Sequence, residues 1–468
     1  MKNGRLWNNR ARLARLHDRI LRKKQTVVKN SKVVFWSIVI ALGGFLFGFD
    51  TAVISGAEKA IQQLWQLTAF EHGFTISIAL IGTVLGALLG GIPSDRLGRR
   101  KTLIWIAVLY FVSALGAAMA PSWVPFLIFR FLGGLGVGAS SVTAPLYISE
   151  ISPAASRGRM VALFQFNIVF GILIAYLSNY LLADSGDAAW RWMLGVQVFP
   201  AAAFLLLLFR VPESPRWLIT KKGLVEEGRE ILRIINPTSF DSDVTAILTS
   251  QAQEGAGGES LFTRKHIGPV MLAVLFAVFN QVSGINAILY YAPRIFEMTG
   301  LGTNSALLSS AGLGLINFAF TLLAMNFIDR FGRRKLMLIG SFGLIVTLGL
   351  VARSFYTEQF TGFTVPILLF VYIAFFAFSQ GAVIWVFISE IFPNSVRAKG
   401  QALGSSTHWI MATIIAFTFP YFAEHLGGGH TFLFFCLMMV LQLIFVWRFM
   451  PETKGTSLEQ VEKILVVH

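Results

Sequence analysis

Apolar residues run along this chain in blocks too long and too uniform for the amphipathic helices of a water-soluble fold. Windows of about 19 residues pick out twelve blocks, near 33–57, 74–94, 102–120, 124–148, 160–182, 190–211, 267–292, 305–328, 336–357, 363–390, 400–422 and 430–449. At about 1.5 Å per residue, such blocks reach across a bilayer as helices. Six precede a long polar stretch at 212–266 and six follow it. The pattern predicts an all-α membrane protein of twelve transmembrane helices. Its parts are a basic N-terminal arm (1–32), a first six-helix bundle (33–211), a helical linker (212–266), a second bundle (267–449) and a C-terminal tail (450–468).

The polar positions repeat. Asp95-Arg-Leu-Gly-Arg-Arg-Lys101 recurs as Asp329-Arg-Phe-Gly-Arg-Arg-Lys335, and Glu150, Pro153 and Arg157 recur as Glu390, Pro393 and Arg397. Pro212-Glu213-Ser214 recurs as Pro451-Glu452-Thr453. All three offsets lie near half the chain length, so the two bundles are expected to be pseudo-symmetric parallel repeats. Between them, 213–250 carries Leu and Ile at helical spacing among alternating charges, and 251–260 has the composition of a flexible linker.

Composition adds orientation. Hydrophobic residues make up 55% of 468, and mean hydropathy is +0.66, too apolar for a soluble protein. A net charge of +15 raises the question of nucleic acid, but its placement answers otherwise. Nearly all of the 39 Lys and Arg fall in alternate loops and the tails; the other loops hold only Lys59, Arg191, Arg294 and Arg353. This positive-inside bias places both termini in the cytoplasm of a multi-pass cell-membrane protein, with the basic charge facing anionic lipid. The arm, with Leu6, Leu13, Leu16 and Ile20 near one stripe, reads as an amphipathic helix on the inner leaflet, a disordered basic tail or a transit peptide. The one cysteine, Cys436, excludes an internal disulfide and sits in an apolar run.

Candidate chemistry lies inside the apolar blocks. Asn280, Gln281 and Asn286 sit mid-block, where an amide without partners is costly. On a straight helix Asn286 would point about 140° from Gln281, but Ser283-Gly284 permits a bend that turns all three toward one cavity. Interhelical hydrogen bonding is the alternative role. Amides suit an uncharged polyhydroxylated ligand, since each both donates and accepts. Asp50 and Arg130 are lone ionisable residues in the first and fourth blocks, where charge usually pairs and functions. They form either a structural bridge or a proton switch. Gly133-Gly-Leu-Gly-Val-Gly138 follows no strand and is read as helix packing rather than a nucleotide loop. No nucleophile–base pair, metal constellation or cofactor signature is present, so no enzyme is expected.

Five motifs carry a resemblance over nearly the whole chain after residue 32. They are the paired Asp-Arg-x-Gly-Arg-Arg loops, Pro-Glu-Ser-Pro-Arg (212–216), Gln-Val-Ser-Gly-Ile-Asn-Ala-Ile-Leu-Tyr-Tyr-Ala-Pro (281–293), Trp-Val-Phe-Ile-Ser-Glu-Ile-Phe-Pro (385–393) and Pro-Glu-Thr-Lys-Gly (451–455). In these the sequence resembles the sugar porter family of the major facilitator superfamily, and most of all its bacterial-type xylose/glucose–proton symporters. The resemblance implies a monomeric carrier of hexoses or pentoses working by alternating access, with a proton as co-substrate. It implies sugar contacts from Gln165, Asn280, Gln281, Asn286, Asn317 and Trp385. His408 stands where many members have a sugar-contacting glutamine, and serves as ligand or as a packed interhelical bond. Asn280 replaces the more usual glutamine.

The resemblance further implies proton coupling at Asp50 opposite Arg130, and a cytoplasmic latch from Asp95, Arg99, Glu150, Arg157, Asp329, Arg333, Glu390 and Arg397. Topology-setting charge is the latch's alternative. Gln197 stands where some similar symporters have a second carboxylate, which leaves a uniporter open. A sugar sensor is the remaining alternative, though such sensors commonly bear longer tails.

Overall fold

A computed structural model describes residues 31–153, 156–253, 260–358, 360, 362–393 and 396–454. The expectations for the N-terminal arm up to residue 30, for linker residues 254–259 and for the tail from 455 lie outside the described residues. Among those described, twelve helices are long and apolar enough to cross a membrane. They are α1 (Ser31–Leu64), α2 (Ala69–Leu89), α3 (Arg99–Met119), α4 (Trp123–Glu150), α5 (Arg157–Leu182), α6 (Ala189–Leu208), α7 (Arg264–Glu297), α8 (Thr303–Phe331), α9 (Arg333–Thr357), α10 (Thr364–Glu390), α11 (Arg397–His425) and α12 (Gly427–Phe449).

The helices assemble as two bundles of six. In the first, α1 packs on α5 and α4 on both α2 and α3; in the second, α9 packs on α12 and α10, and α7 on α11. Between bundles, α2 lies against α11, α5 against α8, and the outer part of α7 against α1. Close approach depends on small residues. A Cβ added at Gly134 of α4 would fall 1.9 Å from Ala79 O of α2, and one at Gly138 2.1 Å from Thr83 O. The glycine run therefore packs helices. Across the α2–α11 seam, a Cβ at Gly73 would fall 2.1 Å from Phe417 O, and Phe70 meets the Phe417 ring edge-on at 5.0 Å.

Helix ends are closed by specific partners. Thr68 and Glu71 form a capping box before α2: Glu71 N donates to Thr68 Oγ1 and Thr68 N to Glu71 Oε2. Helices α3 and α9 begin without a side-chain cap of their own. Instead Glu213 accepts hydrogen bonds from Arg99 N, Arg100 N and Ser214 N at 2.8–3.1 Å. Glu452 does the same for Arg333 N, Arg334 N and Lys454 N at 2.9–3.1 Å. Each carboxylate sits on the positive end of a helix dipole and satisfies its first free N–H groups. Burial pushes the Glu213 carboxyl above its ordinary value, against the opposing pull of those N–H groups and Arg99. The linker forms short helices at Val225–Ile235 and Phe240–Gln253.

Three spans are interrupted. Helix α6 breaks between Gly195 and Val198, and α10 breaks at Ser379, whose backbone leaves the helical region. Helix α7 breaks between Val282 and Ile285, with Gly284 at φ +87°. The break frees backbone groups that the bilayer cannot satisfy. Tyr372 of α10 donates to Ser283 O at 3.0 Å, and Ser283 Oγ to Asn280 O at 2.6 Å. Helices α1 and α7 both continue past the apolar blocks, to Leu64 and Glu297 rather than about 57 and 292. The extra turns are polar yet stay helical, because their charges face the other bundle.

Candidate functional site

The break in α7 decides where its amides point. With Gly284 left-handed, Asn286 turns back toward Gln281, and its Nδ2 donates to Gln281 Oε1 at 2.6 Å. Gln281 Nε2 donates to Asn280 Oδ1 at 2.9 Å and lies 3.2 Å from both ring nitrogens of His408 on α11. Asn280 Nδ2 reaches Gln380 O, at the break of α10, at 3.5 Å. All four side chains are buried, between 1% and 8% exposed. Their hydrogen bonds close on one another, and such a cluster can trade internal bonds for a ligand's hydroxyls.

An aromatic wall adjoins it. Trp385 of α10 meets the His408 ring at 4.9 Å and keeps 37% of its surface exposed. Trp409 packs on Phe47 of α1 at 5.5 Å, tying this corner of the second bundle to the first. Gln165 on α5 and Asn317 on α8 lie on helices that pack across the bundle interface. Their neighbours Phe166 and Phe318 touch edge-on at 5.4 Å. No hydrogen bond among the described residues joins Gln165 or Asn317 to the α7 cluster.

Asp50 and Arg130 meet. Arg130 Nη1 donates to Asp50 Oδ1 at 2.8 Å and Nη2 lies 3.4 Å from Asp50 O, with the residues 3% and 2% exposed. A Cβ at Gly133, one turn on from Arg130, would collide with the Ser113 hydroxyl of α3, so this glycine lets α3 and α4 close beside the pair. Gln197, at the α6 break, is buried.

The inner charges form one cluster per bundle. Arg99 bonds Asp95 at 2.9 Å and Glu150 at 3.0 and 3.1 Å; Arg333 bonds Asp329 at 2.9 Å and Glu390 at 2.8 and 3.1 Å. Ser214 and Thr453 donate to Glu150 and Glu390 respectively. Arg157 and Arg397 are placed otherwise. Their Nε atoms donate to the backbone at Ser149 O and Phe392 O, near the ends of α4 and α10. Each cluster is thus internal to its own bundle.

Sequence reasoning missed a third set of charges. Glu58 of α1 accepts from Arg294 of α7 at 2.9 and 2.7 Å, His72 of α2 lies 2.7 Å from the same carboxylate, and Lys59 pairs with Glu297. Hydropathy places Lys59 and Arg294 in outer loops; the signal that finds them is an acid–base alternation at the ends of α1 and α7. A cleft of about 480 Å³ lies there, lined among others by Lys59, Arg294, Glu297 and Glu424, and not at the amide cluster.

Residues 36–465 match the family described as sugar (and other) transporter. The chain is 38% identical to a D-xylose-proton symporter of Escherichia coli (strain K12), over 93% of this chain and 96% of that one. It is 38% identical to an arabinose-proton symporter of Bacillus subtilis (strain 168), over 93% and 95%. Among solved structures, the xylose transporter from E. coli in a partially occluded inward-open conformation superposes with a TM-score of 0.81 at 36% identity, covering 91% of this chain and all of that one. The proton:xylose symporter bound to 6-bromo-6-deoxy-D-glucose superposes at 0.77 and 36% identity, covering 93% of this chain and all of that one.

Proposed function

Since the chain belongs to the sugar transporter family of the major facilitator superfamily, we propose that it carries monosaccharides across the membrane by alternating access, with a proton as co-substrate. One observation carries the sugar site: Asn280, Gln281, Asn286 and His408 share a single buried hydrogen-bond cluster at the break of a membrane helix. Amides and imidazole bond hydroxyls of a hexose or pentose, while the Trp385 face takes the sugar's C–H side. Gln165 and Asn317 complete the site from the opposing helices α5 and α8. A pocket built from such groups rejects analogues lacking hydroxyls, because its own polar atoms are then left unpaired.

Proton coupling rests on Asp50. An isolated acid bound to one arginine inside two apolar helices can lose its charge on protonation, which releases Arg130 and lets helices α1 and α4 readjust. Gln197, an amide in the same bundle, is consistent with a uniporter as second reading; Asp50 favours the symporter. The carrier acts as a single chain, because its sugar site lies between the two halves of one polypeptide. Both termini are cytoplasmic on the charge distribution. With α1, α2, α7 and α11 joined at the outer side and the inner clusters confined to their own bundles, the arrangement is inward-facing. The inner clusters act as the latch that must pair between bundles when the carrier turns outward.

The test is uptake of labelled D-xylose, L-arabinose and D-glucose into proteoliposomes, with and without an imposed pH gradient. Accumulation of at least one sugar above its outside concentration only with the gradient is expected. Gradient-independent equilibration would establish the uniporter, and transport of none would overturn the sugar reading.

A further inference from the structure

We propose that Glu58, His72 and Arg294 form a proton-sensitive outer gate, in which one carboxylate is handed between a cation of the opposite bundle and a histidine of its own. Glu58 on α1 is 1% exposed and binds Arg294 through both oxygens, from Nε at 2.9 Å and Nη2 at 2.7 Å. Arg294 also donates to Gln62 of α1. His72 on α2, fully buried, brings Nε2 to 2.7 Å from Glu58 Oε2, but off the line of a straight hydrogen bond. Its Nδ1 has no hydrogen-bond partner among the described residues. Arg294 reaches across the bundle interface; His72 shares its bundle with Glu58.

Two candidate cations therefore compete for one buried acid. While His72 is neutral, separating α7 from α1 strips Glu58 of its one charged partner among the described residues, and a buried carboxylate left alone is strongly disfavoured. Protonated His72 changes both sides of the balance. In the closed gate it adds a second positive charge beside Arg294; in the open gate it pairs with Glu58 within the first bundle while Arg294 moves into water. Protons at the outer face thus favour opening.

The surrounding charges leave this balance intact. Lys59 is occupied by Glu297, Glu71 of α2 faces out within its capping box, and Glu424 of α11 is exposed at the cleft rim. On α7, Tyr291 places its ring 5.9 Å from His72 and spends its hydroxyl on Ala416 O of α11. A cleft lined by Lys59, Gln62, Arg294, Glu297 and Glu424 opens beside the Glu58–Arg294 pair. Asp50 lies on the same helix about 12 Å deeper, so the gate is a separate proton site. Its consequence is a carrier that presents its site outward most often when outside acid can drive uptake.

This inference rests on the alternating-access reading and its orientation, and its test separates the two. Spin labels at Gln63→Cys and His425→Cys on a Cys436→Ser background, in the full chain in lipid nanodiscs, report the outer separation of α1 and α11. The open-to-closed ratio should rise about tenfold between pH 8 and pH 5.5, as a tenfold proton preference for the open gate requires. In His72→Gln that rise should vanish with the gate still closed at pH 8. In Arg294→Gln the gate should stand open at pH 8 and gain little from acid. The reversed pair Glu58→Arg with Arg294→Glu should close it again, which a folding defect in the single variants would not predict. A full pH response in His72→Gln, or a closed gate in Arg294→Gln, overturns the proposal. Acid opening without uptake of any sugar would fell the transport reading and leave the gate standing; uptake without acid opening would do the reverse.

Discussion

Gln281 is the residue on which the amide cluster turns, since it alone bonds Asn280, Asn286 and His408. Gln281→Ala should lower sugar affinity about ten- to a hundredfold, from hydrogen bonds worth about 1–3 kcal/mol. Equilibrium binding of the transported sugar to purified protein, normalised to folded yield, is the measurement; unchanged affinity would move the site elsewhere. His408→Gln should be far milder, because an amide still accepts from Gln281 and still offers donors. At this scale the sequence is legible where polarity and surroundings clash. Asp50, Arg130 and the three amides stand out because apolar residues flank them on both sides. Glu58, His72 and Arg294 do not, because they lie where a hydropathy window fades into loop and a charge looks like an ordinary surface charge. The contact that gives them meaning spans 236 positions in sequence. Arg157 and Arg397 show the converse: the repeat marks them as equivalent, but their partners are backbone carbonyls, which no side-chain pattern predicts.

Among the elements, α7 was readable in outline. Ser283-Gly284 and the angular mismatch of Gln281 and Asn286 foretell an interruption, and Gly284 at φ +87° supplies it. The breaks in α6 and α10 had no such sign: Val196 and Gln197 keep helical dihedrals at the first, and the residue that leaves them at the second is Ser379, not a glycine. Two alanine substitutions separate backbone cost from packing cost. Gly300 shares φ +87° and an added Cβ there meets nothing within 4 Å, whereas one at Gly284 would lie 2.5 Å from the Phe435 ring. Gly300→Ala should therefore cost only the left-handed conformation, about 1–2 kcal/mol. Gly284→Ala should cost more and should also weaken sugar binding, because Asn286 moves with the turn. Unfolding of both variants in detergent checks the order; equal losses would mean that the Phe435 side yields freely. The Glu213 and Glu452 caps were visible as repeated motifs, but their task, closing helices more than a hundred residues away, emerges only from the assembled fold.

For the whole molecule, the coupling of two gradients is the property to test. Asp50→Asn should abolish accumulation while sparing sugar-for-sugar exchange, which needs no proton. One proton crossing 100 mV releases about 2.3 kcal/mol, enough for roughly fiftyfold accumulation of a neutral sugar at 1.36 kcal/mol per decade. Concentrative uptake and counterflow in the same vesicles measure the two arms; accumulation equal to wild type would remove Asp50 from the coupling role. The twelve helices and their two-bundle arrangement were legible, because lengths and offsets survive any rearrangement of side chains. How the bundles touch was not. Along the seam of α2 and α11, Gly73 lets one backbone rest almost directly on the carbonyl of Phe417. Two helix backbones that close leave no gap for a file of water molecules, and without such a file neither protons nor ions can slip past an idle carrier. On that argument the close fit at Gly73 serves as electrical insulation, which a leak measurement can test. Gly73→Ala should make empty vesicles leak protons in the absence of sugar, seen as faster collapse of an imposed pH gradient, and the cell would spend its gradient through a wall that had lost one hydrogen's width of fit.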